Sequence, residues 1–454
     1  MATTPAAPAN AAPTITLHHV NAMPAPTWHR LRVNDTDVEL PADLRAEPDV
    51  QVEAPQALLG EPGAFEAALK RMEAHLKSTG ELPPAAARPR GEAAGEPSAS
   101  SNTAAGQAGD CARSDGAAKG AEEDPTLDLP ALSAFQAASA AVEASGSLER
   151  AFETGMGPEA FAYLREAAGE PVVIATAPGQ QGARAAVRVR GVDGAASAAA
   201  VDVVAAEGSE VSVSIALDSP EPGAGAVGCS LRVFAGRNAR VSIATTQTLD
   251  PAWIALDDAG LMLDERARAD VRHTVLGAGR SCTGLAGDLR GEEAKAAVDT
   301  RYLGTGERAL DFNYELRHHG PKTESAMNAN GVLAGASSKT LRGTIDFVRG
   351  CKGANGQEVE TVLIADERAD NRTVPVILCG EDDVAGNHGA TIGHVRSEQL
   401  LYLASRGLSP EAAEQLFLRA TLEEAALTAP DDATRAGVAR LGRALLDDFE
   451  EEIA

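Results

Sequence analysis

Aromatic side chains make up only 3% of this 454-residue chain, and its five cysteines are scattered without a CxxC pair. A core this poor in rings has to be filled by Val, Ile, Leu and Ala in repetitive layers. Cys111, Cys229, Cys282, Cys351 and Cys379 write neither a zinc knuckle nor a local four-cysteine cluster site. They read as reduced thiols, packed as small hydrophobes. No run of about 18 or more strongly apolar residues occurs, so no membrane span is expected. Residues 1–14 lack the charged start and apolar stretch of a secretory signal. GxSxG, HExxH, Walker A and GxGxxG patterns are missing from any suitable strand–helix context, which argues against a self-contained hydrolase or nucleotide enzyme.

Basic charge is also scarce. Lys and Arg total 40 against 66 Asp and Glu, a formal net charge of −26. Such a surface repels phosphate backbones and anionic lipid, so neither nucleic acid nor membrane is expected as the main partner. The composition predicts a soluble, cytoplasmic protein.

Residues 83–125 contain no Leu, Ile, Val, Met, Phe, Tyr or Trp. With nothing to offset the entropy of ordering the backbone, this stretch is expected to be a disordered linker. It interrupts a helical or extended region, 1–82, where Phe65, Leu69, Met72 and Leu76 recur at helical spacing. After it, 126–170 reads as helical, with Pro158 and Glu159 suited to a first turn.

From 171 to 395 the pattern changes to period two, as in Val211-Ser212-Val213-Ser214-Ile215. A small turn motif starts at Gly208, Gly236, Asp264, Gly291, Gly306 and Gly335, giving spacings of 28, 28, 27, 15 and 29. A near-fixed period means stacked units, each burying its apolar face on the next. Strands without helical crossovers favour a β-helix or an elongated sandwich over a doubly wound sheet; an ordinary sandwich with loosely spaced turns is the alternative. Helices return in 396–454. Ser397 and Ser409-Pro410 start two of them, Gly407 closes the first, and Ala413, Leu416, Phe417 and Ala420 line one stripe. A third, from about 431, carries Val438, Leu441, Leu445 and Phe449.

Two constellations stand out. In Arg317-His318-His319-Gly320, adjacent histidines on a strand point to opposite faces, which predicts one buried and one exposed ring. Asp382 and Asp383 precede Asn387-His388-Gly389-Ala390-Thr391-Ile392-Gly393-His394. Two acids and a histidine in a Gly-rich loop either ligate a metal or satisfy turn backbone, and residue chemistry favours the turn.

From Arg317 to Ala420 the chain resembles the SufB/SufD family of iron–sulfur cluster assembly proteins. The matching blocks are RHHGPKTES, Leu341-Arg342-Gly343-Thr344-Ile345, Pro375 leading to Asp382-Asp383-Val384, HGATIG from His388, and Glu398 through Tyr402-Leu403-Ala404-Ser405-Arg406-Gly407. Pro26-Thr27-Trp28 is similar to the family's N-terminal entry motif. HGAT resembles the SufD side, since the SufB side carries Glu in place of Gly389. The resemblance implies a mainly β protein, a right-handed β-helix core flanked by N-terminal and C-terminal helical regions. It implies a scaffold subunit with no turnover of its own and no nucleotide bound by this chain. The subunit would pair edge to edge with a SufB-like subunit and bind a SufC-like ATPase through 396–428. Tyr402, Arg406, Leu416 and Phe417 are the candidate docking residues.

By the same resemblance His388 is the candidate metal ligand for a transient iron–sulfur cluster held at the subunit interface, with thiolate supplied by the partner. Cys379 and Asp383 are secondary candidates. Two positions depart from the family pattern: Gly386 stands where many SufD chains carry cysteine, and Leu378 replaces an acid. Cys379 is the nearest thiol, and its place on a strand predicts burial. A SufB-like subunit or a self-pairing homodimer is the near alternative. A β-helix polysaccharide-binding protein or lyase is the alternative from another class.

Overall fold

Alternating apolar residues make a strand that must bury one face, and a sequence repeating that strand buries it on copies of itself. The computed structural model describes residues 13–24, 32–79, 147–394, 397–446 and 449. The expected linker 83–125 with Cys111, the first part of 126–170, and Pro26-Thr27-Trp28 lie outside the described residues.

Strands β1 (Thr14–Val20) and β2 (Thr36–Pro41) form an antiparallel pair. The remaining strands form two stacked sheets. They begin with β3 (Arg45–Ala46), β4 (Asp49–Glu53), β5 (Val172–Ala175), β6 (Ala183–Arg190), β7 (Ala195–Ala205) and β8 (Glu210–Asp218). They continue through β9 (Gly225–Ala235), β10 (Arg240–Gln247), β11 (Trp253–Leu263), β12 (Arg268–Val275), β13 (Arg280–Leu289) and β14 (Lys295–Gly304). They end with β15 (Ala309–His318), β16 (Glu324–Leu333), β17 (Ser338–Phe347), β18 (Ala354–Ile364), β19 (Asp370–Cys379) and β20 (Val384–His394). Even-numbered strands from β4 to β20 make one nine-stranded sheet. Odd-numbered strands from β3 to β19, with β5 paired to β7, make the other. From β6 onward neighbours within each sheet are parallel and in register. The chain is therefore mainly β, a β-solenoid of about eight turns.

The interior is built in columns. Val213, Ile243, Val271, Val298 and Met327 occupy the same register position on successive turns, each at most 3% exposed. A fully buried aliphatic side chain contributes roughly 1.5–3 kcal/mol, so the columns carry the fold. Rings enter sparingly: Tyr302 fits because Gly331 is its neighbour on the next turn, where a Cβ would fall 2.2 Å from the ring.

The turn motif marks the corners of the solenoid. At one corner the left-handed residues are Gly208, Asn238, Arg266, Glu293 and Lys322. Gly208 and Asn238 accept this conformation readily, whereas Arg266, Glu293 and Lys322 adopt positive φ less easily. Their conformation is compensated by a ladder in which each amide donates to the next corner: Asn238 to Glu265, Arg266 to Glu292, Glu293 to Pro321 and Lys322 to Lys352, all at 2.8–3.0 Å. Gly306 and Gly335 sit at the opposite corner, before β15 and β17. The 15-residue interval in the motif is half a turn of the solenoid.

Helices cover the outer faces. In α1 (Ala64–Thr79), Phe65, Leu69 and Met72 pack on Val204, Phe234 and Met262 of the odd sheet. The 126–170 region, expected to be helical with a first turn at Pro158, contains two short helices in its described part, α2 (Leu148–Ala151) and α3 (Pro158–Ala168). The break falls where Gly155 is pressed onto Gly284 and Leu285 of β13, so closely that a Cβ would lie 1.9 Å from the Leu285 amide. That crossing of the sheet overrides helix propensity.

At the other end, α4 (Ser397–Ser405), α5 (Pro410–Leu427) and α6 (Asp432–Leu445) follow β20. Ser409 caps α5, its Oγ accepting from the Ala412 amide at 3.1 Å. The face of α5 that packs is Leu418, Leu422, Ala425 and Ala426, against Leu276, Leu303 and Val332. The stripe through Leu416 and Phe417 read from the sequence is not the buried one; Leu416 is 47% exposed. Phe449 lies beyond the end of α6 and packs back on Gly442.

Two guanidinium groups tie the N-terminal hairpin to the solenoid: Arg280 of β13 donates to Thr36 Oγ1 at 2.8 Å and to the Asp37 carbonyl, and Arg342 of β17 is the more buried. Arg342 is 1% exposed and points outward from β17. Its Nη1 lies 2.6 Å from Asp311 Oδ1, its Nη2 donates to the Asp35 carbonyl at 3.2 Å, and its Nε donates to the Val33 carbonyl. Arg342→Ala should destabilise the protein by about 3 kcal/mol, because it strands a partly buried carboxylate and two carbonyls. Chemical denaturation of the purified variant measures this, and a loss below about 1 kcal/mol would contradict the pinning role.

Candidate functional site

The columns end abruptly. After Met327, the next two positions in the Val213 column are Glu358 and His388. The adjacent column, from Ile215 and Thr245, runs through His273, Thr300 and Ala329 to Glu360 and Ala390. The Val213 column thus turns polar over its last two positions, beside strands β19 and β20 that end the two sheets, whereas the adjacent column already carries polar groups from Thr245 on.

His388 lies on β20 and is exposed. Its direction follows from Gly386, two residues earlier on the same face, where a Cβ would lie 3.0 Å from Phe347 and 3.3 Å from Ile377 of the opposite sheet. The imidazole therefore faces the mouth between the two sheets, whereas a Cβ on Gly389 would meet nothing within 4 Å. The sequence reading of 387–394 as a Gly-rich loop is corrected: Val384–His394 is a strand hydrogen-bonded to β18. A continuous ladder outweighs the poor strand propensity of its three glycines.

Behind His388 is a buried ionic group that sequence reasoning missed. Glu360 is 1% exposed and accepts from Lys339, Thr373 and Tyr302, the Tyr302 hydroxyl lying at 3.1 Å. Lys339 also reaches Thr373 Oγ1 at 3.2 Å, and burial holds its ammonium below its ordinary value against the pull of Glu360. Glu358 is 4% exposed, and neither carboxylate oxygen has a hydrogen-bond partner. Burial, then the charge of Glu360, pushes its carboxyl up to about 7. Gly343 makes the space, since a Cβ there would lie 2.2 Å from Glu358 Oε1. The available signal was Glu358-Val359-Glu360, two acids at strand spacing within a run whose alternate positions are buried.

The other candidates separate. Cys379 ends β19 and is exposed, its thiol donating to the Glu381 carbonyl at 3.2 Å, so the expectation of burial fails. The cause is its place on the last turn, where no further strand among the described residues covers it. Cys229, Cys282 and Cys351 are buried; burial pushes Cys282 up to about 12 and Cys351 up to about 11. Asp383 is exposed, and the acid that satisfies the turn is Glu381, which accepts from the Gly350 and Asp382 amides at 3.0 and 3.1 Å. His318 is buried between Thr323 and Ser325, while His319 is half-buried with Nε2 3.0 Å from Asp288. Among the described residues no three His, Cys, Asp or Glu side chains converge to hold a metal ion. Tyr402 and Arg406 on and beside α4 are exposed, Leu416 on α5 is exposed and Phe417 is half-buried. No helix among the described residues is long and apolar enough to cross a membrane.

Comparison with known proteins places these features in a family context. Residues 187–421, just over half of the chain, match the family described as "SUF system FeS cluster assembly, SufBD core domain". The iron–sulfur cluster assembly protein SufD of Bacillus subtilis is 32% identical over 131 residues, covering 29% of this chain and 30% of that protein. A SufBD family protein of Mycobacterium tuberculosis is 29% identical over 142 residues, 31% of this chain and 17% of the relative. One from Staphylococcus epidermidis is 29% identical over 136 residues, 30% of this chain and 29% of the relative. The matched segment thus spans less than a third of each of these proteins.

Glu358 provides a test of the site's electrostatics. Below about pH 4 its carboxyl is protonated in both folded and unfolded chains. Between there and about 7 the unfolded chain releases a proton that the folded chain keeps, so stability falls as pH rises. Glu358→Gln should therefore raise the melting temperature at pH 8, by about 1–3 °C, and leave it nearly unchanged at pH 4. Melting curves of the two proteins across that range decide it.

Proposed function

This chain belongs to the SufB/SufD family of iron–sulfur cluster assembly proteins, and from that membership we propose that it is a SufD-like scaffold subunit, cytoplasmic and without turnover of its own. The observation that carries the reading is the uncapped end of the solenoid with His388 facing its mouth. Strands β19 and β20, of 10 and 11 residues, present the outer edges of both sheets side by side. Long open edges are templates for strand pairing, so a SufB-like subunit with a matching pair of edges would extend both sheets at once.

In this arrangement the nascent cluster is cargo held at the junction. The imidazole of His388 is a borderline ligand suited to iron. The thiolates would come from the partner. Exposed Leu401, Tyr402 and Leu416, at 69%, 58% and 47% exposure, support a docking face for a SufC-like ATPase on α4 and α5, with Arg406 and Phe417 beside them. No nucleotide need bind this chain itself.

Co-expression with SufB-like and SufC-like subunits should yield a complex stable to gel filtration. Elution of this chain apart from both would remove the scaffold assignment, and a mass of twice the chain for the protein alone would favour self-pairing. His388→Ala should lower the yield of reconstituted cluster by roughly tenfold or more, given the losses that even outer-shell changes cause at metal sites. The complex should stay intact, because an exposed imidazole contributes little to folding. An unchanged cluster absorption spectrum would dismiss His388 as a ligand.

A further inference from the structure

The two edges at the open end are not equivalent. Along a strand, alternate residues turn their N–H and C=O to opposite sides, so one ladder bond fixes which side each residue serves. On β19 the Asp370 amide donates to the Ser337 carbonyl and the Gly380 amide to the Phe347 carbonyl, and the register between them is unbroken. Even-numbered residues of β19 therefore face β17. Asn371, Thr373, Pro375, Ile377 and Cys379 turn their backbone groups to the open side. On β18 the Asn355 amide donates to the Thr323 carbonyl beside β16, which leaves the even-numbered residues of β18 to bond β20. In the continuous register of β20, Gly386, His388, Ala390 and Ile392 then turn outward.

A proline occupies one of those outward positions. Pro375 is exposed, and among the described residues it is the one proline within the strands of the two stacked sheets. Its missing N–H costs the sheet nothing, because that group would point away from β17. It acts only on a strand arriving from outside, whose carbonyl meets a pyrrolidine ring in place of a donor. Met23 and Val33 of the N-terminal arm pack on Val374 and Val376, on either side of it, and hold the strand from its outer face. β20 is different. From Val384 to His394 it carries no proline and no Asp, Glu, Lys or Arg, the residues by which edge strands ordinarily deter pairing. One edge is guarded and the other is bare.

An end that docks through both sheets brings a pair of edges of its own. If it belongs to a second copy of this chain, Pro375 enters the interface twice, whichever strand faces which. If it belongs to a different chain without such a proline, the ring enters once. Each ring leaves one carbonyl of the opposing strand unmet, so the second copy is disfavoured by about tenfold relative to the different chain. We propose that Pro375 guards the open end against self-association and reserves it for the end of a different chain, with β20 as the uninterrupted docking strand. This rests on the edge-pairing reading above and adds to it the choice of partner.

Sedimentation equilibrium of the full chain by itself tests this. The unmodified protein should be monomeric, and Pro375→Val, which restores the amide, should self-associate at least about tenfold more tightly. Adding Ala390→Pro, which deletes an outward amide of β20 and leaves its ladder to β18 intact, should reverse that gain. A stable dimer of the unmodified chain, unchanged self-association in Pro375→Val, or undiminished association in the double variant each overturns the proposal. The mass of the unmodified chain counts even if the variants fail to fold. Failure of the edge-pairing reading shows separately, as absence of a complex when the unmodified chain is co-expressed with a SufB-like subunit.

Discussion

The in-register stacking of one turn on the next is the constraint from which the rest follows. Parallel pairing without slippage keeps a given position of the repeat facing the interior on every turn, so each column is filled by side chains that fit a buried position. The Val213 column obeys this through Met327 and then changes character. At the end of the stack the column carries buried Glu358 and then exposed His388, because among the described residues no further strand follows β20 in its sheet. The same geometry that makes the core leaves an open edge and a polar mouth together at one end.

Buried charge in this protein sits where elements of different origin meet. Arg342 joins the N-terminal hairpin to β15 and β17, and Lys339 with Glu360 joins the two sheets behind the open end. Such groups lose hydration on burial and are tolerated because each is surrounded by several partners. Glu358, Glu315 and Asp258 depart from this, with buried carboxylate oxygens that have no hydrogen-bond partner among the described residues. A buried acceptor left unmet calls for an explanation. Glu358 borders the proposed cluster position, and Glu315 is among the residues around a cavity of about 500 Å³.

Much of this was legible in the residues. Period-two runs and a turn every 27–29 residues announced stacked strands, and the 15-residue interval, opaque in the sequence, is the step from one corner to the other. His388 was found through family resemblance, since residue chemistry alone read HGATIG as a turn. That misreading came from its glycines, which lack strand propensity; β18 supplies the ladder that makes the segment extended. Cys379 was expected to be buried like the other strand cysteines, and only its position on the final turn exposes it. Leu416 and Phe417 lie on the stripe read from the sequence, but α5 packs through Leu418 and Leu422, with Phe417 at the margin of that cluster and Leu416 exposed.

Sequence by itself determined the repeat, the mainly β class and the family, because these rest on local alternation, turn chemistry and contiguous motifs. Tertiary structure alone decided which face of each element is covered, where the stack stops, and which polar groups are left without partners. Residues such as Glu358 and His388, or Asn313, Gly155 and Ala22, are far apart along the chain. Their meeting depends on how many turns intervene and where the terminal segments cross the sheets, and no local pattern encodes that.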